Sequence, residues 1–97
     1  MSLTVIATLI ARPDAGTPLL AALQALQRAT LPEAGCLHYA LHRDLDDSCR
    51  FVFYETWSSR AAHEAHMQSA HLLAFVEQAA AWLVHSEVRL LTLVDAV

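Results

Sequence analysis

The sequence predicts an α+β fold in which a four-stranded antiparallel sheet carries its helices on one face. Three observations predict it. Stretches rich in β-branched and aromatic residues alternate with stretches of helical periodicity, in the order βαββ(αα)β. A short acidic turn joins the second and third strands as a hairpin, while helical segments make the other connections. The length, 97 residues, accommodates one domain, residues 1–97.

Leu3 to Arg12 is β-branched, ends at Pro13 and predicts the first strand. Both of its faces are apolar, with Leu3, Val5 and Leu9 on one and Ile6 and Ile10 on the other. Pro13-Asp14-Ala15-Gly16 is a turn, after which Thr17 is the expected N-cap and Pro18 the first helical residue. Leu19, Leu20, Leu23 and Leu26 make the buried stripe of this helix, which stops by Leu31 ahead of Pro32. Cys36–Asp44 is the second strand, Leu45-Asp46-Asp47-Ser48 the turn, and Arg50–Trp57 the third strand. Ser58 or Ser59 caps a short helix over Arg60–Met67. Ser69 caps the next, whose stripe is Leu72, Phe75, Val76, Ala79 and Leu83, and Glu87–Val94 is the last strand. Two β-α-β crossovers around a hairpin give the split βαβ, or ferredoxin-like, plan.

Composition narrows the partners. Six arginines, no lysine and ten acids give a net charge of −4, which offers no basic surface to nucleic acid or to an anionic membrane. No apolar run approaches the roughly 20 residues that span a bilayer. Met1-Ser2-Leu3-Thr4-Val5 has no basic leader, so a cytoplasmic location is expected. Cys36 and Cys49 fall at opposite ends of the hairpin; a strand of about eight residues at roughly 3.3 Å each separates them by ~25 Å. That is beyond disulfide reach, so both are expected as reduced thiols.

A single helical layer covers one face of such a sheet, yet strands one, three and four are apolar on both. The uncovered face would form a patch larger than monomers usually expose, and a homodimer with sheets packed face to face removes it.

Three segments then resemble the antibiotic biosynthesis monooxygenase domain family, and within it the quinol monooxygenase-like members. Glu33-Ala34-Gly35-Cys36-Leu37-His38-Tyr39 is similar to the family's acid-x-Gly-Cys-x-x-Tyr lead into strand two. Phe53-Tyr54-Glu55-Thr56-Trp57 is similar to its Glu-x-Trp at the end of strand three. His66 and His71, within Ala62–His71, recur in the family's segment. The resemblance implies a dimeric α+β barrel with a pocket between sheet and helices. It also implies oxidation of phenols or quinols by O₂ without a cofactor in some members, and haem cleavage in others. The sequence contains no asparagine, the residue on which the haem-cleaving and aromatic-polyketide members rely, and this argues against both of those activities.

Strand alternation puts Glu55 on one face with Phe51, Phe53 and Trp57, where desolvation raises a carboxyl pKa toward a value useful for proton transfer. The structural alternative is an ion pair with Arg50, Arg60 or Arg89, or a cap contact. His71 stands just inside a helix N-terminus, where the dipole favours the neutral ring. Facing a pocket it would take a phenolic proton; otherwise it anchors the helix start. Glu55 and His71 are the candidate catalytic residues. Trp57 and Phe75 are candidate walls for an aromatic ligand, with Tyr39 and His66 as further substrate-binding residues; Tyr54 is a weaker candidate. His63-Glu64-Ala65-His66 misses the i, i+4 histidine spacing of a zincin, and with no third ligand evident no metal is expected. The primary reading is a cofactor-independent monooxygenase acting on a small phenolic or quinol substrate with O₂. The alternative is a non-catalytic dimeric module that binds a small apolar ligand, with haem binding a third option.

Overall fold

Register within the sheet follows from the alternation of the strands, and it is what assembles the site. A computed structural model describes residues 2–96. Its elements are β1 (Leu3–Ala11), α1 (Gly16–Thr30), β2 (Cys36–Arg43), β3 (Arg50–Trp57), α2 (Arg60–Met67), α3 (Ala70–Ala79) and β4 (Leu83–Leu91). The strands form one antiparallel sheet in the order β2-β3-β1-β4, the ferredoxin-like arrangement. Tyr39, Glu55, Val5 and Leu90 stand side by side in one row across it, and Leu41, Phe53, Ala7 and Val88 in the next.

This face lies under the helices and holds the core. Val5, Leu19, Leu23, Phe51 and Trp57 have no solvent exposure. The opposite face carries Ile6, Ile10 and Val52, half-buried, together with exposed Tyr54 and Leu91. Among the described residues, no helix is long and apolar enough to cross a membrane. Both cysteines are free thiols, as expected from their positions at opposite ends of the hairpin.

Several boundaries differ from the sequence expectation; β1 and β2 each end one residue early, at Ala11 and Arg43. Helix α1 starts at Gly16, with Ala15 at the N-cap and no side-chain cap, rather than being capped by Thr17. The Leu19 N–H closes the first turn on the Ala15 carbonyl at 3.1 Å. Pro18 is tolerated at the third helical position because first-turn N–H groups have no acceptor within the helix. Helix α3 ends at Ala79, so Leu83 is not on its stripe, and Val76 is exposed. Strand β4 begins at Leu83 instead of Glu87 and ends at Leu91, because it pairs with β1 as far as Ala11↔Leu83. Pairing with a neighbouring strand outweighs the local helical pattern there.

Two serines set the helices as expected. The Ser59 hydroxyl accepts from the Ala62 N–H at 3.1 Å. The Ser69 hydroxyl accepts from the Leu72 N–H and donates to the His66 carbonyl at 2.7 Å, tying the end of α2 to the start of α3. Gly35 has φ +82°, and its carbonyl accepts from the Ser58 N–H at 2.8 Å. A Cβ there would stand 2.6 Å from the Ala62 Cβ and 2.7 Å from the Ser58 hydroxyl. Left-handed strain and overpacking act together on G35A, which should lose at least about 2 kcal/mol. Thermal unfolding should shift down by roughly 10 °C; an unchanged midpoint would contradict this account of the turn.

Candidate functional site

The space between sheet and helices is a cavity of about 140 Å³. Its floor is Ala7, Leu9, Phe53 and Val88, and its roof is Leu72 and Phe75 of α3 with His63 and His66 of α2. Met67, Val76 and Val88 line it and are also exposed, so they form an apolar mouth. Four polar side chains converge inside: Tyr39, Glu55, His63 and His66, each no more than 4% exposed.

Glu55 comes inward because β3 alternates, and the helices cover that face. Its Oε1 accepts the Trp57 indole N–H at 2.9 Å. None of the three arginines considered as partners reaches it: Arg50 pairs with Asp44, Arg60 with Glu64 and Arg89 with Glu87. Burial therefore dominates and pushes the carboxyl up to about 7, against the Trp57 hydrogen bond, which pulls it down; the nearby Glu33 adds to the rise. Tyr39 stacks on Phe53 with ring centroids 4.3 Å apart, and burial, then Glu55, push its phenol upward.

His66 holds its ring between Trp57, 4.8 Å away, and Tyr39, 5.4 Å away, measured between centroids. Its Nδ1 lies 2.6 Å from Glu33 Oε2, and His71 Nε2 lies 2.7 Å from the same oxygen. Burial lowers the His66 pKa, with Glu33 opposing. His63 is lowered as well, by burial and then by His66. It is 4% exposed and has no side-chain hydrogen bond among the described residues.

Four of the six expected site residues thus line the cavity: Glu55, Tyr39, His66 and Phe75. Two do not. Trp57 is fully buried behind Glu55, at the end of β3, and serves as its hydrogen-bond donor rather than as a wall. His71 faces away from the cavity, toward Glu33 and a shallow groove between α1 and α3, because the second position of α3 points it there. Tyr54 is on the opposite sheet face, against His38. His63 and Glu33 were missed. Period-four spacing from Ser59 places His63 inward on α2, which offered a signal; Glu33 joins His66 and His71 only through tertiary contact.

Donor atoms of Glu33, His66 and His71 lie within 4.8 Å of one another, a set that bears on metal binding. The two contacts to Oε2, however, have hydrogen-bond length. Ligand atoms at about 2.0–2.1 Å from a zinc-like ion stand about 3 Å or more apart. The trio is accordingly a hydrogen-bonded cluster with a single shared acceptor.

The comparisons with known proteins agree with this architecture. Residues 2–78 match the model of the family described as antibiotic biosynthesis monooxygenase. PA3566 from Pseudomonas aeruginosa is similar in structure, with a TM-score of 0.91 and 37% identity over 97% of this chain and 95% of that one. Rv0793 from Mycobacterium tuberculosis gives a TM-score of 0.91 and 33% identity over 99% and 98% of the two chains. The Synechocystis protein sll1783 is 31% identical over 69% of this chain, and the match spans 46% of that protein's length. The chain is a member of the antibiotic biosynthesis monooxygenase family.

Proposed function

We propose that the protein is a cytoplasmic, cofactor-independent monooxygenase that oxidises a single-ring phenol or hydroquinone with O₂. The observation that carries the reading is Glu55: a carboxyl in an apolar cavity, without a cationic partner, whose pKa is raised to about 7. Cavity size supports the substrate class. About 140 Å³ is close to the roughly 150 Å³ that holds one benzene-sized ring, and small for a polycycle or haem. Phe53 and Phe75 supply apolar walls; Tyr39 and His63 line the same space, and in this reading they meet ring oxygens.

In this reading ionised Glu55 takes the phenolic proton and the phenolate gives one electron to O₂. The resulting radicals combine at a ring carbon. For a hydroquinone the balance is one O₂ consumed, one oxygen atom retained in a hydroxyquinone and the other released as water; the substrate supplies the electrons. The protein contributes binding, orientation and control of the proton. The name of Rv0793 as a monooxygenase supports the reaction class.

A homodimer belongs to the same reading. Ile6, Ile10, Val52, Tyr54 and Leu91 leave one sheet face apolar, and a second copy of that face covers it. The wild-type protein should sediment as a dimer and Y54E as a monomer; equal sedimentation of the two would count against this interface.

Oxygen uptake tests the reaction. The purified protein, free of added cofactor, should accelerate O₂ consumption with a substituted hydroquinone above the buffer rate. E55Q should lose about 10²-fold or more in kcat. Uptake at the buffer rate, with an aromatic probe still bound, would identify a non-catalytic ligand-binding module instead.

Glu55 also links stability to pH. The folded state keeps its proton where the unfolded chain, with the usual value of 4.5, has released it. Its contribution to stability therefore falls as pH rises from 4.5 to about 7, by on the order of 3 kcal/mol, and is constant above. Denaturant unfolding across this range should show that decline in the wild type and a flatter profile in E55Q.

A further inference from the structure

The geometry points to a proton exit built from His66, Glu33 and His71, in which His66 Nε2 takes a proton from the occupied cavity and Glu33 carries the charge toward the surface. The inference rests on the proposed use of the cavity and adds to it a route that Glu55 does not provide. Glu55 is 3% exposed, and its hydrogen-bond partner Trp57 is fully buried. An apolar ligand seated behind Met67, Val76 and Val88 would close the mouth to water. A proton accepted inside then needs a hydrogen-bonded way out.

Of the polar groups lining the cavity, His66 has one. Its Nδ1 is 2.6 Å from Glu33 Oε2, and that oxygen is 2.7 Å from His71 Nε2. Exposure rises outward along this line: the His66 side chain is 3% exposed, Glu33 16% and His71 30%. The geometry also settles a tautomer. A carboxylate accepts only, so His66 holds its proton on Nδ1, and the neutral ring presents a lone pair on Nε2. This is the way a carboxylate behind an imidazole orients it as a base and stabilises the cation that forms. Where Glu55 takes the proton of one hydroquinone hydroxyl, the other O–H bond breaks toward His66: Nε2 gains that proton, and the Nδ1 proton shifts along the short bond to Glu33. His71 Nε2 must itself carry a proton to meet the same carboxylate oxygen, so the proton leaves from half-buried Glu33 directly to water while His71 holds the carboxylate in place; no oxidant takes part in this step. The groups packed around His66 are Glu33 before β2, Tyr39 and Trp57 of the sheet, His63 of its own helix and His71 of α3. Arg and Lys are not among them.

Two measurements test the relay. In ¹⁵N-histidine-labelled protein, His66 should appear as the Nδ1–H tautomer, with an Nε2 resonance that moves when the protein is saturated with a small phenol. An Nε2–H tautomer, or an Nε2 signal indifferent to bound phenol, overturns the relay. In turnover, E33Q should lower kcat about 10²-fold with KM nearly unchanged. H71A should lose less, because water can replace its N–H donor to Glu33. A kcat of E33Q equal to that of the wild type would overturn the exit. The spectroscopic arm needs no turnover, so absent O₂ uptake would remove the proposed reaction while leaving the relay to be judged on His66 alone.

Discussion

One carboxylate oxygen, Glu33 Oε2, receives imidazoles from two successive helices and ties α2 and α3 to the segment that leads into β2. Charge-assisted hydrogen bonds are shorter and stronger than neutral ones, and these two measure 2.6 and 2.7 Å. They converge because the chain breaks between the helices at Ser69, whose hydroxyl holds the last turn of one and the first turn of the other. Gly35 completes the arrangement from the opposite side. Its left-handed backbone lets the segment carrying Glu33 pass close under Ser58 and Ala62, where a side chain would collide.

That anchoring creates an interior with uneven polarity. Arginines that might have neutralised Glu55 are occupied at the surface by nearby acids, so the carboxyl meets an indole N–H and little else. Leaving it there opposes folding at neutral pH, since the ionised form is poorly solvated. A fold stabilised by the surrounding apolar rows tolerates such a group, and residues kept at a cost to stability cluster where chemistry is done. The two carboxylates, Glu55 and Glu33, differ in burial and partners: one meets an indole N–H inside the cavity, the other two imidazoles nearer the surface.

The two faces of the sheet divide the labour. One is roofed by helices and holds the cavity; the other presents Ile6, Ile10, Val52 and Tyr54 to the outside. The chain is a member of the antibiotic biosynthesis monooxygenase family, but a fold accommodates many activities. Any account of its chemistry therefore rests on particular side chains: a cavity near the size of one ring, a raised carboxyl, and an imidazole backed by a carboxylate.

The sequence by itself determined the sheet. Arg50–Trp57 has the observed bounds of β3, and its period of two was enough to put Phe51, Phe53, Glu55 and Trp57 on one face. The paired serines before the short helices were legible for a similar reason, because caps act within a few residues. Periodicity assigns a side but not a depth, and so Trp57 was expected as a wall although it lies behind Glu55. His71 was expected in the cavity from its place at a helix start, yet the direction of that helix turns it to Glu33. The start of β4 was decided by pairing with β1, against a local helical pattern that ran on to Leu83. Only the tertiary structure decided the cluster of Glu33, His66 and His71. Its members are separated by 33 and 38 positions along the chain, and no local rule relates them. They meet because two helices and a glycine turn pack over the same end of the sheet.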